Sequence, residues 1–134
     1  SSGNGTFSLD GKRYYFSICD EEGYNYKCRI VCANYENGKW SKIDTLGNEI
    51  NEPGKNSTMP SISKLDGKEV LFFASDRSGT KGGLDIWMAQ MNGIKAENIQ
   101  NITEVNTLEN DITPWHDSLK NRLYFFAFCA IPNQ

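Results

Sequence analysis

Three aromatic bursts recur along the chain at nearly constant spacing, and that spacing limits the fold more than any other feature. They are Arg13-Tyr14-Tyr15-Phe16-Ser17-Ile18-Cys19, Glu69-Val70-Leu71-Phe72-Phe73-Ala74-Ser75 and Arg122-Leu123-Tyr124-Phe125-Phe126-Ala127-Phe128. Setting Phe16, Phe72 and Phe125 in register gives spacings of 56 and 53 residues. Each burst is rich in aromatic and β-branched residues and is bounded by Gly, Asn and Asp, the composition of a strand between turns. Helical periodicity is weak throughout. The one helical candidate, near Ile94 to Ile99, is short and polar. A repeat of this length holds several strands rather than one hairpin.

The flanks of the bursts extend the repeat. Asp10-Gly11 precedes the first burst and Asp66-Gly67 the second. Asp-Gly between two strands signals a tight hairpin, because the turn needs a positive φ that Gly accepts without a Cβ clash. The third copy has Leu119-Lys120-Asn121 there, and Asn also tolerates the left-handed region. A third strand is expected over 28–33 and again over 84–89. A fourth is expected near 40–46 and 98–105. The reading is therefore all-β: four-stranded antiparallel meanders of the kind that form the blades of a β-propeller, in copies of about 6–59, 60–111 and an incomplete 112–134. Closed propellers use about four to eight blades, so about two and a half leave open sheet faces. The chain is thus expected to be a segment of a larger propeller, as the polar start Ser1-Ser2-Gly3 leading into a strand also suggests. Assembly of several chains into a ring is the other solution.

Composition removes some function classes. The formal net charge of −3 supplies no basic stripe for nucleic acid. No apolar run reaches the ~20 residues of a membrane helix, and the polar start Ser1-Ser2-Gly3-Asn4-Gly5 does not read as a secretory leader, so a trimmed or cut chain is expected and its start says little about address. Four cysteines and one histidine without a C-x-x-C pair give no zinc pattern, so no metal and no cofactor is expected. His116 has no nucleophile elbow to serve, and the carboxylate clusters 20–22 and 109–111 fall in apparent loops, so no catalytic residues are expected. A surface or hydrogen-bonded role is expected for His116 instead.

The second copy runs Pro60-Ser61-Ile62-Ser63, then Leu65-Asp66-Gly67-Lys68, then Leu71-Phe72-Phe73-Ala74-Ser75-Asp76-Arg77-Ser78-Gly79, then Gly82-Gly83-Leu84-Asp85-Ile86-Trp87. This closely resembles the TolB-like propeller repeat, densely over 60–90 and more loosely over 6–51. The third copy matches only at its aromatic strand. The stretch Leu46 to Pro53 resembles a subgroup from the envelope of Bacteroidota-type bacteria, where such propellers sit beside tetratricopeptide repeats and OmpA-like domains. Some of these serve type IX secretion. Arg29 departs from the pattern, which has Asp at the matching Asp85.

That subgroup often carries a cysteine at the end of the second strand and another at the start of the third, the places of Cys19 and Cys28. The resemblance thus implies a disulfide and an oxidising compartment. The layout allows bridging if the register is right, and two buried thiols are the other reading. Cys32 and Cys129 are expected as small core residues. Asp66, Gly67, Ser75, Asp76, Arg77, Gly79, Gly82, Gly83, Asp85 and Trp87 carry the family motif. The structural reading gives the Asp residues loop amide protons to accept and Arg77 a carboxylate and an aromatic ring to meet. The rival reading is a ligand or cation site at the blade tip. Trp87 is expected in the core, and Trp40 at a packing position between blades. Trp115 and His116 mark the place where a binding surface is expected.

These readings imply a non-catalytic scaffold or protein-binding module, periplasmic or associated with a bacterial outer membrane, with a protein partner in the envelope. A carbohydrate- or peptidoglycan-binding module is the alternative, as is the propeller part of a glycan-active enzyme or a serine peptidase.

Overall fold

A computed structural model describes residues 5–23 and 25–128. Cys129 lies outside them. Ten strands run β1 (Thr6–Phe7), β2 (Arg13–Glu22), β3 (Asn25–Glu36), β4 (Lys39–Thr45), β5 (Ser57–Leu65), β6 (Lys68–Ser75), β7 (Asp85–Asn92), β8 (Lys95–Asn101), β9 (Asn110–Asp117) and β10 (Arg122–Phe128). They form two four-stranded antiparallel meanders and a two-stranded third sheet, each in sequence order. No helix occurs among the described residues. The weak helical candidate near Ile94 lies in the turn into β8 and in β8 itself.

The hairpin signals act where positive φ is needed. Asp66 and Gly67 both take positive φ (52° and 75°), as do Asn37 and Gly38 (51° and 75°). Paired positive φ is the turn whose twist matches that of its flanking strands. Asn121, also left-handed at 49°, closes the β9–β10 loop.

The three sheets stack face to back. Tyr15, Ile30 and Cys32 point from sheet 1 toward sheet 2, where Leu71, Phe73, Trp87 and Ala89 meet them, and Leu46 and Ile50 of the connecting segment fill the same joint. In the second joint Phe72 and Ile86 point toward sheet 3 and meet Leu123 and Phe125, with Ile102 and Val105 of the next connecting segment. Successive residues of β6 thus serve opposite joints, because side chains alternate across a strand. Burying Phe73 completely stabilises the stack by about 1.5–3 kcal/mol.

This stacking corrects the alignment of the repeat. Leu46 N–H donates to Ile30 O and Ile102 N–H to Ile86 O, so Ile30 and Ile86 correspond. Tyr15 faces Cys32 across its ladder, and Phe72 faces Met88. Tyr15 therefore matches Phe72, and Phe16 matches Phe73. In sheets 2 and 3, left-handed Met59 and Thr113 precede Pro60 and Pro114. Ser61 then faces Phe72 and Trp115 faces Tyr124, so Phe73 matches Phe125. The residues in common register are Phe16, Phe73 and Phe125. The β5–β6 hairpin is one rung longer than its counterparts, so alignment on Asp-Gly slips the strand by one residue and exchanges its faces.

Candidate functional site

The motif residues of the second copy fasten the connecting segments to the ends of the strands. Ser75 Oγ donates to Asn56 O (2.6 Å) and accepts from the Arg77 N–H. The Asp76 carboxylate accepts both the Asn56 backbone N–H (2.6 Å) and its side-chain amide (3.0 Å). Arg77, only 6% exposed, lays its guanidinium over the rings of Phe73 and Trp87 and donates to Ile50 O at 2.9 Å. The expected aromatic stacking is present, on two rings. Its bonded acceptor is a backbone carbonyl rather than a carboxylate. Burial lowers the Arg77 pKa, and Glu52 opposes that. Arg77 Nε and Trp87 Nε1 are buried without a protein acceptor among the described residues.

Asp85 is fully buried and accepts from Lys81 N, Gly82 N and Asn101 Nδ2. Gly82 lies where a Cβ would collide with the carbonyls of Thr107 and Glu109, and one at Gly83 with the Asn110 side chain. The Gly-Gly pair thus lets the second connecting segment cross closely. A Cβ at Gly79, whose φ is 92°, would meet the Trp87 ring. Asp66 remains an exposed turn residue.

Four asparagines that the sequence reading passed over complete these fastenings. Asn51 accepts from Ile30 N and donates to Ile30 O and Leu46 O. Asn106 accepts from Ile86 N and donates to Ile86 O and Asn101 Oδ1. Asn56 accepts from Cys28 N, and Asn110 from Leu84 N. Their positions carried a signal, since Asn51 to Asn106 and Asn56 to Asn110 are each separated by one repeat length.

The Cys19–Cys28 disulfide is present, with S–S 2.05 Å. It does not sit at the end of the second strand and the start of the third, the places expected for it. β2 and β3 continue past it to Glu22 and from Asn25, and the two cysteines face each other within the ladder. Cys32 is a buried thiol, its pKa pushed up to about 11 by burial. Beside the disulfide opens a groove of about 300 Å³ lined by Tyr26, Cys28, Asn56, Thr58, Asp76 and Asn110. It crosses the starts of β3, β5 and β9, the shared end of all three sheets.

Trp115 and His116 do not share a surface. His116 is 8% exposed and turned into the second joint. Its Nδ1 lies 2.7 Å from Ser63 Oγ, its Nε2 lies 3.0 Å from Asn121 Oδ1, and its ring stacks on Phe72. Asn121 Oδ1 can only accept, so Nε2 donates to it, and Ser63 Oγ also reaches the His116 carbonyl at 3.2 Å. The hydrogen-bonded role expected for His116 is what the geometry shows, and burial removes it from any binding surface. Trp115 points the other way, is 55% exposed and stacks on Tyr124.

Two outer faces of the stack stay uncovered among the described residues. Sheet 1 presents Phe7, Tyr14, Phe16, Tyr35 and Trp40 as one aromatic group. Sheet 3 presents Trp115, Tyr124 and Phe126. Among the described residues no three His, Cys, Asp or Glu side chains gather where they could hold a metal ion. No described helix is long and apolar enough to cross a membrane. No family model, curated protein or solved structure matches the chain.

Proposed function

We propose that the chain is a run of TolB-like β-propeller blades acting as a non-catalytic, protein-binding scaffold in a bacterial cell envelope. Its setting would be periplasmic or outer-membrane-associated, among type IX secretion or peptidoglycan-linked assemblies. One observation carries this reading: the buried polar motif residues turn inward to hold the connecting segments. Ser75, Asp76, Arg77 and Asp85 are consumed in fastening the frame, and the frame holds a rigid groove at the common end of the sheets. Rigid scaffolds that present loop-lined surfaces suit docking. The disulfide supports an oxidising compartment.

A photo-crosslinking residue in place of Tyr26, which is exposed at the rim of the groove, tests this in the cell that makes the protein. One protein adduct of discrete mass from the envelope is the expected result. Turnover of a glycan or peptide by the purified protein, abolished by changing one carboxylate, would sink the reading. A glycan-binding module is the second reading, favoured by the exposed Trp115 stacked on Tyr124, an aromatic platform of the kind sugar rings use. Retention on cell-wall sacculi that Trp115→Ala abolishes would establish it.

A further inference from the structure

Two buried N–H donors in the first joint meet no acceptor, and they belong to side chains that stack on each other. The Arg77 guanidinium carbon lies 5.4 Å from the centre of the Trp87 ring and 5.5 Å from that of Phe73. Arg77 is 6% exposed and Trp87 9%. Arg77 Nε and Trp87 Nε1 are shielded from solvent and have no acceptor among the described residues. A buried donor left unpaired is costly, most of all on a charged group, and folded proteins rarely keep one. The oxygens around the pair are already engaged. Ile50 O accepts from both Arg77 Nη2 and Ser57 Oγ. Gly79 O and Asp85 Oδ2 accept the Asn101 amide. Glu52 is the carboxylate whose charge acts on Arg77, but its Oε2 takes the Ser78 N–H at 3.0 Å, and no ion pair joins it to Arg77 among the described residues.

We propose that Arg77 and Trp87 bind one small monovalent anion of the halide class, held by the Nε–H of the arginine and the Nε1–H of the tryptophan. The chemistry of the place favours an anion over water. A buried water accepts from donors but must also place its own protons on acceptors. Here both unpaired buried side-chain atoms among the described residues are donors. A halide has no proton to place, satisfies both N–H groups and neutralises a cation that burial deprives of water. Because both nitrogens are shielded from solvent, a bulky anion is shut out. Arg77 follows Asp76, which lines the groove at the common end of the sheets, so the bound ion also steadies the loop that shapes that groove. The inference holds whatever docks there.

Urea unfolding in mixtures of sodium chloride and sodium gluconate at constant ionic strength reads this directly. One anion released on unfolding makes the unfolding constant fall about tenfold for each tenfold rise in chloride, once the site is mostly filled. Bromide is expected to act as chloride does, and gluconate is not. Trp87→Phe keeps a ring and removes one donor, and should need about tenfold more chloride or beyond for the same effect. Arg77→Met removes the charge and should abolish the dependence, its intrinsic cost being read in gluconate alone. Glu52→Gln removes a repelling carboxylate and should strengthen the response to chloride. Circular dichroism confirms that each variant is folded, and Trp87→Phe with Glu52→Gln carries the test if Arg77→Met is not. In crystals grown with bromide, an anomalous peak against both nitrogens is expected. An unfolding constant indifferent to chloride overturns the proposal and leaves the donors to a buried water. A dependence that survives in Arg77→Met overturns it too, by placing the ion elsewhere. So does a loss of stability in Glu52→Gln without any response to chloride, which would mean that the carboxylate itself turns onto Arg77.

Discussion

Trp115 and His116 are adjacent in the chain and face opposite sides of β9: the histidine ring stacks on Phe72 of the preceding sheet, and the tryptophan ring stacks on Tyr124 at the open face. Alternation along a strand therefore puts two polar-capable aromatics into different roles, one closing an existing joint and one presenting a new surface. Substitution at the two positions should separate cleanly in urea unfolding, with His116→Ala lowering the midpoint and Trp115→Ala, at an exposed position, leaving it nearly unchanged.

Arg77 gives a prediction that charge alone would reverse. The guanidinium is buried between two rings, and its acceptor, Ile50 O, is also bonded by Ser57 Oγ at 2.6 Å. Arg77→Met keeps the apolar stem and leaves that carbonyl satisfied, so a loss of about 1 kcal/mol or less is expected. Arg77→Lys keeps the charge but buries a compact ammonium that cannot stack, and a loss of about 2 kcal/mol is expected. Urea unfolding midpoints rank the two; lysine ranking above methionine would contradict the stacking account.

Asn106 is the fastening with most to lose. Asn106→Ala strands the buried N–H of Ile86, whose carbonyl keeps the Ile102 N–H, and should cost about 1–3 kcal/mol. Hydrogen exchange at the Ile86 amide should quicken selectively. An unchanged rate there would mean that another acceptor takes over.

The disulfide closes a short loop, so its entropic contribution is modest. Replacing Cys19 and Cys28 by serine should lower stability by about 2.5 kcal/mol. Alkylation of the unfolded wild-type protein should gain two groups only after reduction. Stability that does not respond to reduction would show that the hairpin holds its register without the bridge.

Alkaline pH should loosen the first joint. Burial pushes the Tyr15 phenol up to about 12 and the Cys32 thiol up to about 11, from 10.0 and 9.0. A group whose pKa is raised by folding contributes fully below its unfolded value, and that contribution is lost as pH rises through the folded value. Stability should therefore hold up to about pH 9 from these two groups and fall between about 9 and 12. Cys32→Ala should remove the lower part of that fall in a pH series of denaturation curves. Native Cys32 should also resist iodoacetamide at pH 8, where only about one thiol in a thousand is ionised.

Much of the fold was legible because its signals are local. Asp66-Gly67 and Asn37-Gly38 mark hairpins through their own φ preferences, and alternating aromatics mark strands. The short Ile94–Ile99 segment was ambiguous because neither period is long enough to decide it, and pairing with β7 makes it a strand. The motif residues stand out in the sequence, yet the partners they bond were not visible there. Asp76 binds Asn56, twenty residues earlier, and Arg77 binds a carbonyl at Ile50. Such pairs form only once the connecting segment crosses the strand ends. The cysteine pair was placed, but its setting was not, because nothing in the sequence between Cys19 and Cys28 says how far the ladder continues.

The sequence by itself determined an all-β chain in three similar units, because turn chemistry and side-chain alternation act over a few residues and need no partner. Register and facing were decided only in the tertiary structure. One additional rung in the β5–β6 hairpin moves Phe72 to one side and Phe73 to the other, and the two choices differ only in which neighbouring sheet each ring meets. A strand with large apolar residues on both faces satisfies its local preferences either way, so the packing of whole sheets makes the choice.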